Sequence, residues 1–115
     1  MRFAGRFQFP RGGNVEAYVN DQWMPICDRR NISTPEGRVI CRQLGFTGVV
    51  RPFYNSFFGT PTIPPDEMII NLNCNGQEYS LDQCDFTVAT VGSSHAEGCS
   101  QNSIFGVICL GNQFI

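Results

Sequence analysis

A chain of 115 residues, 42% of them hydrophobic, is long enough for one folded domain over 1–115, burying about two thirds of its unfolded surface around a modest core. Its formal net charge of −2, reached without a single lysine, excludes the basic footprint of a nucleic-acid binder. No run of residues approaches the ~20 consecutive apolar positions of a membrane helix, which excludes membrane insertion by this segment.

The opening stretch, MRFAGRFQFPRGG, scatters arginines through its apolar residues and is not a signal peptide, so a secreted protein would carry its targeting signal outside this sequence. All eight basic residues are arginine: Arg2, Arg6, Arg11, Arg29, Arg30, Arg38, Arg42 and Arg51. Against Glu16, Asp21, Asp28 and Glu36 they leave the first 51 residues net positive by four, while the remainder carries six acids and no base. If the fold keeps the two halves apart the surface is dipolar; otherwise these are scattered solvated charges.

Residues 14–27, NVEAYVNDQWMPIC, alternate apolar and polar around Asn20-Asp21 and predict a hairpin with Val15, Ala17 and Val19 on one face. Trp23 and Ile26 are expected to add to the buried surface. Pro25 lacks the donor a ladder needs, which puts its strand at an edge or a bulge. Next, Ser33 and Thr34 offer cap oxygens, Pro35 suits the first helical turn, Glu36 lies three after Ser33 as in a capping box, and Gly45 suits the left-handed C-terminal position. A helix over about 35–44 follows, with Ile40 and Cys41 toward the core and Arg38 and Arg42 nearer solvent.

From Val49 onward, VVRPFYNSFFGTPTIPPDE reads as an irregular strand and a long loop, its aromatics either core filler or a binding stripe. MIINLN, 68–73, is a short apolar strand. Asn75-Gly76 marks a tight turn, and Ser80 begins a short second helical turn at about 79–83. VATVGSSHAEG, 88–98, reads as small-residue loop, and SIFGVICL, 103–110, as the best buried strand.

Six cysteines, Cys27, Cys41, Cys74, Cys84, Cys99 and Cys109, contain no C-x-x-C pair, and His95 is the one imidazole. Structural zinc usually draws closely spaced ligand pairs, and a catalytic thiol would leave five cysteines unexplained. Three disulfides account for all six and imply an oxidising compartment. The sequon Asn31-Ile32-Ser33 agrees with that location and makes Asn31 a glycosylation candidate. Spacing alone selects no complete pairing; Cys74 and Cys84 bracket a segment suited to local closure. Asp66-Glu67 and His95-Ala96-Glu97 supply titratable groups, but no nucleophile with a base assembles, and catalytic residues are expected to be absent.

NVEAYVNDQWMPIC, VICRQLGF, LNCNGQEYSLDQC and FGVIC, in this order and spacing, resemble the scavenger receptor cysteine-rich domain over nearly the entire chain. The six-cysteine group A type fits, because Phe46 stands where eight-cysteine members have another cysteine. The resemblance implies an α+β fold: a disulfide-stapled domain whose curved, antiparallel-rich sheet cradles one main helix. It also implies the pairs Cys27–Cys99, Cys41–Cys109 and Cys74–Cys84, the longer loops each stabilising by roughly 3–5 kcal/mol in the chain-entropy model.

Members of the family are extracellular, secreted or in ectodomains, usually beside neighbouring domains of the same chain. They bind proteins or polyanions such as sulfated glycans and microbial surfaces, and are not themselves catalytic. Many use calcium held by two successive aspartates and a later glutamate. Here Asp28 is kept, Arg29 replaces the second aspartate, and Ser103 stands at the glutamate position. A second family cation site uses acid where this chain has Ile70 and Asn71. Calcium needs six to eight oxygens, several anionic, so no metal and no cofactor is expected. The expected alternative is an anionic ligand met by Arg29, Arg30, Arg38, Arg42 and Arg51, since guanidinium presents two donors to two oxygens in one plane. The competing expectations are that Arg29 merely seals the vacated site against Asp28, and that the domain serves protein contacts through apolar loop surface at 53–58.

Overall fold

The computed structural model of the chain describes residues 1–29 and 31–111. Its first strand, β1 (Arg2–Phe9), pairs antiparallel with β2 (Gly12–Val19). The sequence reading assigned no strand to 1–13, although Phe3, Phe7 and Phe9 alternate with Arg2, Arg6 and Gln8 at the period of two that a strand requires. Gly5, at φ 109°, sits where the β1–β2 register shifts, and that break obscures the pattern.

Strand β2 turns into β3 (Gln22–Pro25) through Asn20 and Asp21, at φ 52° and 62°. Positive φ at both central residues is the turn that matches strand twist, and Asn-Asp tolerates it. The first half of β2 pairs with β7 (Gly106–Leu110) and its second half with β3. Because β2 changes partner midway, the sheet bends. Its long path runs β1-β2-β7-β4, with β4 spanning Gly48–Phe53. A separate antiparallel pair joins β5 (Glu67–Asn73) to β6 (Asp85–Thr90). Thus part of the expected 88–98 loop is strand: β6 continues to Thr90, Val88 facing Ile69 and Ala89 facing Met68 across the ladder. Small residues allowed the close packing that composition alone suggested was loop.

The helix α1 covers Thr34–Gln43, within a residue of the expected span. Glu36 accepts the Ser33 backbone N–H at 2.7 Å, tying off the first turn. At the other end the Gly45 N–H reaches the Arg42 carbonyl (3.0 Å) and the Phe46 N–H reaches Cys41 (2.9 Å), with Gly45 at φ 94°. That pair of bonds is the Schellman stop, which glycine enters without a Cβ penalty. Among the described residues two single turns complete the helical structure, Leu81–Gln83 and Ser94–Ala96.

The main core lies between α1 and the sheet, with Val15, Ile26, Val39, Ile40, Phe105 and Val107 fully sequestered. Strand β5 is buried on both faces: Ile69 and Leu72 enter that core, while Met68 and Ile70 join a second cluster with Ala89, Ala96 and Ile104. Trp23 does not join either. It is 39% exposed, in edge contact with Tyr18 (5.3 Å) and covered by the Arg2 guanidinium at 4.1 Å. The buried positions of β3 are Met24 and Pro25, and Ile26 just past its end is fully buried. Among the described residues, no helix is long and apolar enough to cross a membrane.

Three disulfides cross-link these layers: Cys27 to Cys99, Cys41 to Cys109, and Cys74 to Cys84. The second fastens α1 to β7 over 68 residues of sequence, and the first ties the end of the β2–β3 hairpin to the loop at 98–104 over 72. Cross-links over loops of this length remove roughly 4 kcal/mol of denatured-state entropy each.

Candidate functional site

Three segments remote in sequence meet where the hairpin arm ends. The Cys27 N–H bonds the Ile69 carbonyl at 2.8 Å, the Asp28 N–H bonds Ser103 at 2.9 Å, and Cys27 bridges to Ile104. From the other side comes the turn at Asn55 and Ser56, both with positive φ. The Ser56 N–H donates to the Ile104 carbonyl (3.1 Å), and its hydroxyl donates to the Gln101 carbonyl (2.6 Å) while accepting the Ile104 N–H (3.1 Å). These bonds lock 27–29, 55–56 and 98–104 into one corner.

Asp28 lies at the bottom of that corner with its side chain wholly buried. One carboxylate oxygen accepts the Asn55 backbone N–H. The other makes no hydrogen bond but sits 3.2 Å from an Arg29 terminal nitrogen, so its compensation is coulombic. The Arg29 guanidinium reaches outward over several acceptors: Nη1 to Asn55 Oδ1 at 3.2 Å, Nη2 to Ser103 Oγ at 3.3 Å, and Nε to the Gly98 carbonyl at 3.3 Å. Ser103 Oγ in turn donates to Gly98 at 2.9 Å. A fixed positive group therefore spans Asp28 and Ser103, the two positions singled out in the sequence, and its side chain remains 45% exposed.

This donor set does not fit calcium. It offers one carboxylate, already facing a guanidinium, and a neutral hydroxyl, whereas the ion takes six to eight oxygens with several anionic. A second cation brought to Asp28 would meet Arg29 at close range in a poorly screened corner.

Tyr54 borders the same corner. Its hydroxyl donates to the Ile32 carbonyl at 3.0 Å and its ring meets Phe105 edge-on at 5.8 Å. Burial raises its pKa above the usual phenol value, and the negative charges of Asp28 and Glu36 push it further in the same direction, against a smaller opposing effect of Arg51.

The other expected ligand-binding arginines serve different surfaces. Arg42 is half-buried, donates to the Glu78 carbonyl at 2.8 Å and lies over the Tyr79 ring at 5.5 Å. Arg38, one helical turn earlier, is exposed beside Gly76, so both face the loop at 75–79. That loop is organised around Glu78, whose carboxylate accepts the N–H groups of Asn75 (2.9 Å) and Gly76 (3.0 Å) and is held below the ordinary glutamate pKa chiefly by the Asn75 bond. Arg51 is exposed on β4, stacked 4.5 Å from the Phe53 ring. Arg30 lies outside the described residues. Asn31 is exposed at φ 71° immediately before α1.

The aromatic stretch at 53–58 divides. Phe58 is 1% exposed and Phe53 is buried, while Phe57 is 62% exposed and rests on both rings, at 5.3 and 4.7 Å. Sequence reasoning named neither Asn55 nor Gly98 as part of the arginine corner. The Asn-Ser dipeptide, favourable for a left-handed turn, is the one local signal that pointed there.

A family model described as scavenger receptor cysteine-rich domain matches residues 7–110. Human lysyl oxidase homolog 4 is 33% identical over 109 residues, which is 95% of this chain but 13% of that protein, and the Bos taurus counterpart is 31% identical over the same length. The chain thus spans a small fraction of the curated relatives it matches. Among solved structures it is similar to the third SRCR domain of murine neurotrypsin (TM-score 0.69, 35% identity, 90% of each chain). It is also similar to the dimeric form of the SRCR domain of mouse MARCO (TM-score 0.64, 30% identity, 86% of each chain).

Proposed function

Because the chain belongs to the scavenger receptor cysteine-rich domain family, we propose that it is an extracellular recognition module of a longer protein, engaging a protein or polyanionic ligand through arginine and without calcium. The observation that carries this reading is the Arg29 guanidinium held by Asp28, Asn55, Gly98 and Ser103 while nearly half of its side chain stays in solvent. A covalently supplied cation occupies the position between Asp28 and Ser103 and needs no metal. Arg38 and Arg51 are exposed residues elsewhere on the same molecule, Arg51 stacked on Phe53, and the terminal guanidinium nitrogens suit sulfate or carboxylate oxygens. Arg42 has the narrower role of fixing the Glu78 loop. Nothing in the arrangement supplies a nucleophile and base, and the resemblance to lysyl oxidase homolog 4 extends over 13% of that protein; the module reads as non-catalytic.

Heparin affinity chromatography tests the proposal. Expected is retention at low ionic strength that weakens as salt rises, is unchanged by calcium or chelator, and falls on Arg38→Ala and Arg51→Ala. No retention at low salt, or retention that needs calcium, removes it. A protein-contact role is the second reading, favoured by Phe57, which is 62% exposed on a rigid aromatic base. A domain that ignores heparin yet loses a protein partner on Phe57→Ser supports that role instead.

A further inference from the structure

A groove away from the Arg29 corner carries a different chemistry. It lies between β3 and the loop 60–66, has a volume of about 230 Å³, and is walled by Trp23 and by Pro61, Ile63 and Pro64. Glu16, Asp66 and Glu67 line it, and no basic side chain does. Ile63 is 80% exposed and Trp23 is 39% exposed, so its walls are apolar surface left open to water. Beneath it a smaller cavity of about 20 Å³ shares Glu16, Pro25, Pro61 and Ile104 with the groove. Asn14 lines that cavity; it is 2% exposed, and its Oδ1 is buried without a hydrogen-bond partner while Nδ2 donates to the Gly59 carbonyl at 2.7 Å.

The molecule contains an example of what this surface holds. Arg2 lies flat over Trp23 at 4.1 Å and donates through Nε to Glu16 at 2.7 Å. Indole face plus carboxylate is a guanidinium clamp, and Arg2 occupies it at Trp23 and Glu16. Asp66 and Glu67 add two further carboxylates to the groove, Glu67 also accepting the Gln22 side-chain N–H, and no arginine or lysine is among the lining residues. We infer that the groove bounded by Trp23, the Pro61–Pro65 loop, Asp66 and Glu67 docks an arginine-bearing segment of a protein partner. This surface is independent of the anion-directed arginines.

Trp23 is the one tryptophan of the chain, so its emission reports the groove directly. Titration with a tetra-arginine peptide spaced by Gly-Ser is expected to change that emission saturably, with a midpoint that weakens as salt rises, while the matching tetra-glutamate peptide does nothing. Asp66→Lys, at an exposed side chain, is expected to weaken the arginine peptide about fivefold or more with unchanged circular dichroism. Arg38→Ala and Arg51→Ala are expected to leave it unaltered, which separates this inference from heparin binding. An unresponsive Trp23, an equal response to tetra-glutamate, or indifference to Asp66→Lys overturns the inference. A change of emission with protein concentration alone, abolished by Asp66→Lys, also overturns it and assigns the groove to a second copy's arginines.

Discussion

Arg29 and Asp28 are neighbours in sequence and partners in space: a guanidinium nitrogen lies 3.2 Å from a carboxylate whose side chain is fully buried. Consecutive residues rarely pair this way in a strand, because their side chains point to opposite faces. Here the strand has ended at the isolated bridges of Ile26 and Cys27, and the chain is free to turn both side chains toward Asn55. Removing the cation leaves an uncompensated buried charge. Arg29→Ala is expected to cost about 1–2 kcal/mol in urea unfolding with the disulfides intact, discounted for the exposure of the arginine. Millimolar calcium is expected to leave the unfolding midpoint of the native chain unmoved; a rise of several degrees would show a working metal site.

Glu36 performs two tasks from one buried carboxylate, accepting the Ser33 N–H at 2.7 Å and the Cys74 N–H at 2.9 Å. The helix start is thereby joined to the end of β5. Glu36→Ala orphans both donors, one of them in a buried setting, and is expected to destabilise by about 2–3 kcal/mol. Glu36→Gln keeps an acceptor and should lose less. Equal losses in the two variants, measured by denaturant titration, would contradict this assignment.

Phe57 and Phe58 are adjacent and similar only in type. Phe58→Ser empties a closed aromatic site against Phe53 and Gly106, where an added Cβ on the glycine would already approach the ring to 2.9 Å. Its expected cost is about 3–5 kcal/mol. Phe57→Ser, at an exposed ring, is expected to cost under about 1 kcal/mol. Thermal unfolding of the two variants decides the matter directly.

The raised pKa of Tyr54 makes a prediction about alkali. In the folded chain the phenol keeps its proton to a higher pH than in the unfolded chain, where it ionises near 10. Between those two values the folded state binds more protons, so stability present below pH ~10 is lost as pH rises through the folded value. Absorbance titration is expected to show a late-ionising phenol that Tyr54→Phe deletes. Glu78 acts in the opposite sense: its lowered value gives stability above the ordinary glutamate range that is lost as pH falls through the folded value. Glu78→Gln should flatten the acid side of a stability profile.

Local chemistry made much of this chain legible. Asn20-Asp21 has to turn, because few other dipeptides accept two positive φ angles, and Gly45 has to stop the helix that Ser33 and Glu36 start. Those are decisions made within a few residues by sterics and by backbone donors needing acceptors. The strand at Arg2–Phe9 was equally local, its alternation interrupted at Gly5, and β6 was hidden by small residues whose burial depends on Met68 and Ile69 across the ladder. Even six cysteines and an acid composition go no further by themselves than an oxidised, compact chain. The cysteine pairing implied by the family resemblance is the one found; what only the tertiary structure decided is that Arg29 is held over Asp28 by Asn55 and Gly98, and that Phe57 faces water while Phe58 does not. The same holds for Trp23, left beside three carboxylates on the surface. Each depends on groups tens of residues apart arriving at one place, and on the burial that follows when water is excluded between them, a quantity that no short window of sequence contains.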